Sequence, residues 1–197
     1  MAVMFLARVL TRWLYFRVFG LTAAIATGAY WVQLPGLGLS TGIVPLAGTV
    51  EQLRRYSFHD FPSLLWLSAS DRMLQAVCGL CVVASLLVLF DVAVPFALLA
   101  LWAGWVSLVN VGQPFLSFQW DIMLCEAALL SIPYALRAKA EPMLWQRLCV
   151  ALLAVKVTFE SGVVKLTAGD EAWWPNLTAL TYHYWTQPLP AWTSVYL

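Results

Sequence analysis

From Met73 to Val109 the chain carries a single charged residue, Asp91. A soluble surface cannot be built from such a stretch. Read as one helix, its two apolar runs, Met73 to Phe90 and Val92 to Val109, would extend about 54 Å at roughly 1.5 Å per residue. A bilayer hydrocarbon core is only about 30 Å thick and takes roughly 20 residues of helix. The stretch must therefore fold back on itself, and Asp91 and Pro95 mark the place. Asp suits the N-cap of a helix and Pro its first turn, so a tight hairpin of two spanning helices is expected.

Composition extends this reading to the whole chain. Hydrophobic residues make up 62% of the 197 residues and charged residues 11%, with a mean hydropathy of +0.79, whereas soluble domains are about one quarter charged. An all-α, polytopic membrane helix bundle is expected, as a single transmembrane domain over 1–197. The net charge of +1 offers no basic face for nucleic acid. Eleven Trp and seven Tyr suit the two interfacial zones, where an amphipathic ring keeps its polar end wet.

Five spans are predicted, near 14–33, 73–90, 92–109, 122–136 and 148–166, with an extracytoplasmic tail over 167–197. The first follows Arg8, Arg12 and Arg17, with Arg17 snorkelling. An A-x-A-like site at Ala24 to Ala26 also fits a cleaved signal peptide, but the apolar run continues past it. Gln33 to Pro45, with Pro35, Pro45 and several glycines, is expected to be a shaped loop. Ala47 to Tyr56 fits a short interfacial helix, and Ser70 an N-cap for a helix starting at Asp71. Asn110 to Asp121 forms a second shaped loop, and Arg137 to Arg147 a short basic one. A cytoplasmic N-terminus puts Arg8, Arg12, Arg17, Arg137, Lys139 and Arg147 on the cytoplasmic side, as the positive-inside rule prefers. The 33–71 loop, the 110–121 loop and the chain after Leu166 then share the extracytoplasmic side.

Three sets of residues could carry function. Lys156 and Glu160 are four apart on the fifth span, hence on one helix face. Each alone at the bilayer centre costs about 2.5–3.5 kcal/mol, which pairing offsets in part. Lys before Glu is the weaker order on a helix, so Glu126 on the fourth span is a second candidate partner for Lys156. This intramembrane polar cluster reads first as a fastening between helices and second as the lining of a cavity. Lys165 and His183 are the only candidates for acid or base work outside the bundle, set against structural roles at a helix end and at the interface. The third set is aromatic: Phe115, Phe118 and Trp120, with Trp173, Trp174, Tyr182, Tyr184 and Trp185, is expected to bind a partner, since rigid rings dominate many binding surfaces.

Cys78 and Cys81 form a C-x-x-C pattern. Within an uncharged span a thiolate is costly, so these two, with Cys125 and Cys149, are expected to pack as small hydrophobes. No spacing for zinc, no phosphate-cradling Gly loop and no Ser/His/Asp order occurs, so no metal or cofactor is implied. Asn176-Leu177-Thr178 is a glycosylation sequon, a pattern frequent by chance.

Four stretches carry a resemblance: QLPGLGLSTGIVP (33–45), FPSLLWLSASDRML (61–74), VGQPFLSFQWDIMLCEA (111–127) and FESGVVKLTAGDEAWWPNLTALTYHYWTQPLP (159–190). In this content and order the chain resembles the lipase maturation factor family and, more distantly, the membrane domain of vitamin K-dependent gamma-carboxylases. The first resemblance implies an endoplasmic-reticulum membrane protein that helps dimeric secreted lipases fold and assemble, with relatives in bacteria. Family members continue into a large lumenal domain, and a Glu is expected where Trp185 stands, which implies a short bacterial member or a fragment. The expected function is a membrane-embedded maturation or assembly factor, non-enzymatic, in contact with membrane lipids and a client protein. Its expected location is a bacterial inner membrane, or the endoplasmic reticulum if the source is eukaryotic. The alternatives are a carboxylase-like membrane enzyme with a cavity near Lys156, Glu160 and Lys165, and an accessory subunit of a larger membrane complex.

Overall fold

The structure, a computed structural model, describes residues 2–112, 115–136 and 141–186. Among them there are seven α-helices and no strand: α1 (Ala2–Leu37), α2 (Leu46–Leu53), α3 (Asp71–Leu89), α4 (Val94–Val111), α5 (Gln119–Ala135), α6 (Leu144–Thr167) and α7 (Ala179–Thr186), with a 3-10 turn at Leu64–Trp66 between α2 and α3. Two compact units divide the chain, Met1–Leu153 and Ala154–Leu197.

Among the described residues three helices are long and apolar enough to cross a membrane: Arg8–Leu37 of α1, α3 and α4. The protein is an integral membrane protein. The other two expected spans differ for separate reasons. α5 has 17 residues, short of the roughly 20 that cross a bilayer upright. α6 has 24, but Arg147, Lys156, Glu160 and Lys165 are spaced so that every 18-residue window in it holds three charges.

In the first unit α1 packs on α3, α3 on α4 and α4 on α5. The close approaches depend on glycine. A Cβ on Gly20 would lie 2.5 Å from the Leu89 backbone nitrogen, and one on Gly104 would lie 2.6 Å from Cys81 Sγ. Two apolar clusters hold the bundle. One gathers Leu34, Leu46, Val50, Leu65, Trp105 and Leu116 at the loop end, and the other gathers Phe16, Val88, Val94, Leu98 and Tyr134 at the end of the α3–α4 hairpin. Buried hydroxyls bond back along their own helices, Thr27 to the Ala23 carbonyl at 2.8 Å and Ser85 to that of Cys81 at 2.7 Å. Water is not there to satisfy them in a bilayer.

Several expectations need correction. Pro35 does not start a loop, because α1 runs on through it to Leu37. Only two residues follow Pro35 in the helix, so the lost donor costs one bond near the terminus. Leu34 is fully buried there, and its carbonyl accepts the amides of Gly38 and Leu39. Asp91 does not cap α4 either. The N-cap is Ala93, with no side-chain bond, and the turn is made by Asp91 and Ala93, both at positive φ. Arg17 does more than snorkel, since it donates to the Leu89 carbonyl and lies over the Trp13 ring at 5.1 Å. The A-x-A-like site is in mid-helix between buried Ala23 and Thr27. Ser70 is the N-cap of α3, accepting from the Met73 amide at 3.3 Å. Arg137 and Lys139 lie outside the described residues.

Candidate functional site

At the loop end of the first unit, short polar side chains pin the connecting segments to the helices. Ser40 donates to Asp71 from its amide (3.0 Å) and its hydroxyl (2.5 Å), tying the end of α1 to the start of α3. The Ser107 hydroxyl accepts the Leu64 amide at 2.8 Å, and Asn110 Nδ2 donates to the Pro62 carbonyl at 2.8 Å, fixing the 61–67 segment to α4. Trp105, buried among the helices, donates from its indole to the Asp121 carbonyl at 3.1 Å. The Asp121 carboxylate accepts the Phe118 amide at 3.3 Å, which fixes the first turn of α5. Tyr30 meets the Trp105 ring edge-on, and its buried hydroxyl has no hydrogen-bond partner among the described residues.

This framework separates the three predicted rings of the 110–121 loop. Phe115 packs against the loop-end cluster. Phe118 and Trp120 stack on each other with centroids 4.8 Å apart and planes within 9°, and they are 49% and 62% exposed. Of the three, Phe118 and Trp120 are exposed, and Phe115 is half-buried. Glu126 is half-buried on α5.

In the second unit Lys156 and Glu160 approach to 3.7 Å, the i, i+4 pair expected from the spacing. Both are substantially exposed, at 38% and 53%. Lys165 does not reach back to the α6 carbonyls. Its ammonium sits over the Trp173 ring at 5.0 Å, a contact worth about 0.5–1 kcal/mol at an exposed site. The turn after α6 makes this possible. Asp170 gathers the amides of Ala172 (through its carboxylate, 2.9 Å), Trp173 and Trp174 (through its carbonyl, 3.0 and 3.2 Å). Asn176 then donates to the Glu171 carbonyl, and Ala179 to that of Ala172. Trp174, Tyr182 and His183 are exposed, Trp173 partly so. α7 was not legible beforehand; Tyr184 and Trp185 fall in it, but their side chains lie outside the described residues, as do residues 187–190.

The four cysteines are free, with Cys78, Cys81 and Cys125 buried and Cys149 half-buried. They pack as apolar residues. No group of three or more metal-ligating side chains occurs among the described residues.

The opposite end of the first unit holds features not foreseen as a site. Arg12, which the positive-inside rule treats only as a charge, is 3% exposed and lines a cleft of about 430 Å³ with Trp13, Phe16, Asp91 and Pro95. Arg8 pairs with Glu141, Tyr15 bonds Ser131 at 2.6 Å, and Gln146, itself buried, donates to the Pro133 carbonyl at 2.7 Å. Arg8 and Arg12 are one helical turn apart, a signal that they could share a packed face as well as a charge rule.

Apolar helices, buried back-bonded hydroxyls and exposed aromatic turns define a polytopic helical membrane protein with ring-bearing turns outside its packed core. Residues 10–197 match the family model described as the lipase maturation factor transmembrane domain. The chain belongs to the lipase maturation factor family. It is 35% identical over 203 residues to lipase maturation factor 2 of Homo sapiens, covering 87% of this chain and 28% of that protein. It is 38% identical over 196 residues to lipase maturation factor 2 of Gallus gallus (87% and 27%), and 30% identical over 152 residues to lipase maturation factor 1 of Homo sapiens (71% and 26%). The chain thus spans about a quarter of the length of these relatives. No solved structure matches it.

Proposed function

We propose that this chain is the membrane part of a maturation factor for secreted lipases, and that its exposed aromatic turns hold the client at the membrane surface during assembly. The observation that carries the reading is the family match over residues 10–197, which takes in the turn bearing Trp173 and Trp174. The relatives are named for lipase maturation. Rings fixed by backbone bonds lose little entropy on binding, and Trp and Tyr are enriched among residues that dominate interfaces. Lys165 stands over Trp173, which suits a cation that fixes a ring better than a catalytic base.

In this reading α5 and α6 also cross the membrane, giving five passes. The N-terminus is cytoplasmic, and the chain after Leu166 lies on the secretory side, where a client lipase would be met. Lys156 and Glu160 neutralise each other within the bilayer on one face of α6, and Glu126 is a further polar group of the fourth pass. The compartment is the one through which lipases are exported: the inner membrane of a bacterium or the endoplasmic reticulum of a eukaryote. Co-expression with a dimeric secreted lipase tests the reading. Wild-type chain should raise the enzyme activity recovered per mass of lipase, and Trp173→Ala with Trp174→Ala should remove that gain at unchanged membrane abundance. No gain from the wild type, or a full gain from the double variant, would overturn it.

A further inference from the structure

The segment between α2 and α3 carries a ring cluster that no single run of sequence announces. Tyr56 meets Phe61 edge-on at 5.5 Å, and Phe58 meets Trp66 edge-on at 5.7 Å. Phe58 also faces His59 at 6.4 Å. Tyr56 and Phe58 are 61% and 52% exposed, and every residue from Arg54 to Asp60 is exposed. Such a cluster would be ordinary on a floppy loop, but this one is braced. The Trp66 indole donates to the Phe61 carbonyl at 3.1 Å, Arg54 donates to the Trp66 carbonyl at 3.1 Å, and Asn110 and Ser107 clamp Pro62 and Leu64 from α4.

The Trp66 N–H and the Arg54 guanidinium are engaged inside the segment, and Arg54 also neutralises Glu51 at 2.8 Å. The segment presents outward the rings of Tyr56 and Phe58 and the side chain of Leu67, interspersed with the polar groups of Arg55, Ser57, His59 and Asp60. The segment joins α1 to α3, both able to span the bilayer, so it is anchored at the membrane surface at both ends. Aromatic rings with Arg nearby suit the headgroup layer, where an apolar body and a wet polar tip are both accommodated. The geometry points to the Tyr56–Trp66 ring cluster as a fixed anchor that sits in the headgroup and upper acyl layer of the adjoining leaflet.

Depth measurement by site-directed spin labelling tests this. With Cys149→Ser as background and the three buried thiols left in place, a nitroxide is attached at Phe58→Cys, at Leu67→Cys and, as a reference in water, at Gln52→Cys. The protein is reconstituted in vesicles of phosphatidylcholine and phosphatidylglycerol. Oxygen partitions into the bilayer and a charged nickel chelate into water, so the ratio of their collision rates should be several-fold higher at 58 and 67 than at 52. Ratios at 58 and 67 equal to that at 52 would place the cluster in water and overturn the proposal. Protection from both reagents would also overturn it, in favour of a protein contact. Neither result would bear on client maturation, which the co-expression assay reads separately.

Discussion

The two units of the chain use the same kind of residue for opposite purposes. In the first, a core of apolar side chains is consumed by internal packing: Leu34, Leu74, Leu98, Leu101 and Leu108 are fully buried, and Gly20, Gly38, Gly104 and Gly112 are hemmed in by neighbours, although others such as Ile25, Val32, Leu67 and Phe96 stay exposed. In the second, none of the described residues from Ala154 to His183 is buried, although Val155, Phe159, Val164, Trp174 and Tyr182 are as apolar as anything in the bundle. The turn after α6 keeps its shape through the Asp170 bonds and the Lys165–Trp173 contact, without a core. One region is stabilised by what it buries. The other holds a defined local shape, and the proposed client contact rests on the exposed rings beyond α6, Trp174 and Tyr182, rather than on the apolar face of α6 itself.

The sharpest way to break this contrast is to add bulk to a glycine in each unit. Gly20→Leu places a Cβ against the Leu89 backbone, which cannot move aside as a side-chain tip could, so destabilisation should exceed the roughly 1–3 kcal/mol usual for overpacking. Little folded protein should be recovered in detergent. A Cβ at Gly162 meets nothing within 4 Å, and Gly162→Leu, which also removes glycine's helix cost of about 0.8–1 kcal/mol, should leave thermal unfolding unchanged or slightly raised. Equal behaviour of the two variants would remove the distinction.

A smaller effect is expected at the clamp on the 61–67 segment. Ser107→Ala leaves the Leu64 amide without its acceptor, at a cost of about 1–3 kcal/mol for an unsatisfied buried donor. Hydrogen exchange at Leu64 should quicken while exchange in the middle of α3 stays slow. Unchanged exchange at Leu64 would mean that the segment is held by its apolar contacts alone.

The smallest effect is expected from the Lys156–Glu160 pair. At 38% and 53% exposure such a pair contributes about 0–1 kcal/mol in a solvated setting, so Lys156→Leu in detergent should barely alter unfolding. A loss of roughly 3–5 kcal/mol, as when a buried pair is broken, would show that this face of α6 is covered.

How much of this could be read beforehand depended on whether a feature was local. The Ser70 cap and the Lys156–Glu160 pair each lie within one helical turn, and both appear as expected. The hairpin between α3 and α4 was legible because an uncharged stretch longer than a bilayer has to turn; which residue caps it was not, since the turn is closed by two residues at positive φ rather than by a side chain. Pro35 misled because its effect depends on how much helix follows it. The Lys165–Trp173 contact needs the Asp170 turn, and the ring cluster needs Tyr56, Phe58, Phe61 and Trp66 brought together by a bend. The burial of Arg12 depends on packing between helices, which the positive-inside rule does not address.

The most direct test of the central claim is site-specific photocrosslinking in native membranes, with benzoylphenylalanine placed singly at positions 174 and 182 in the second unit and at position 99 on α4, in cells that export a dimeric lipase. The account predicts adducts containing the lipase from positions 174 and 182 and none from position 99. Lipase adducts absent at both 174 and 182, or equally abundant at 99, would contradict it.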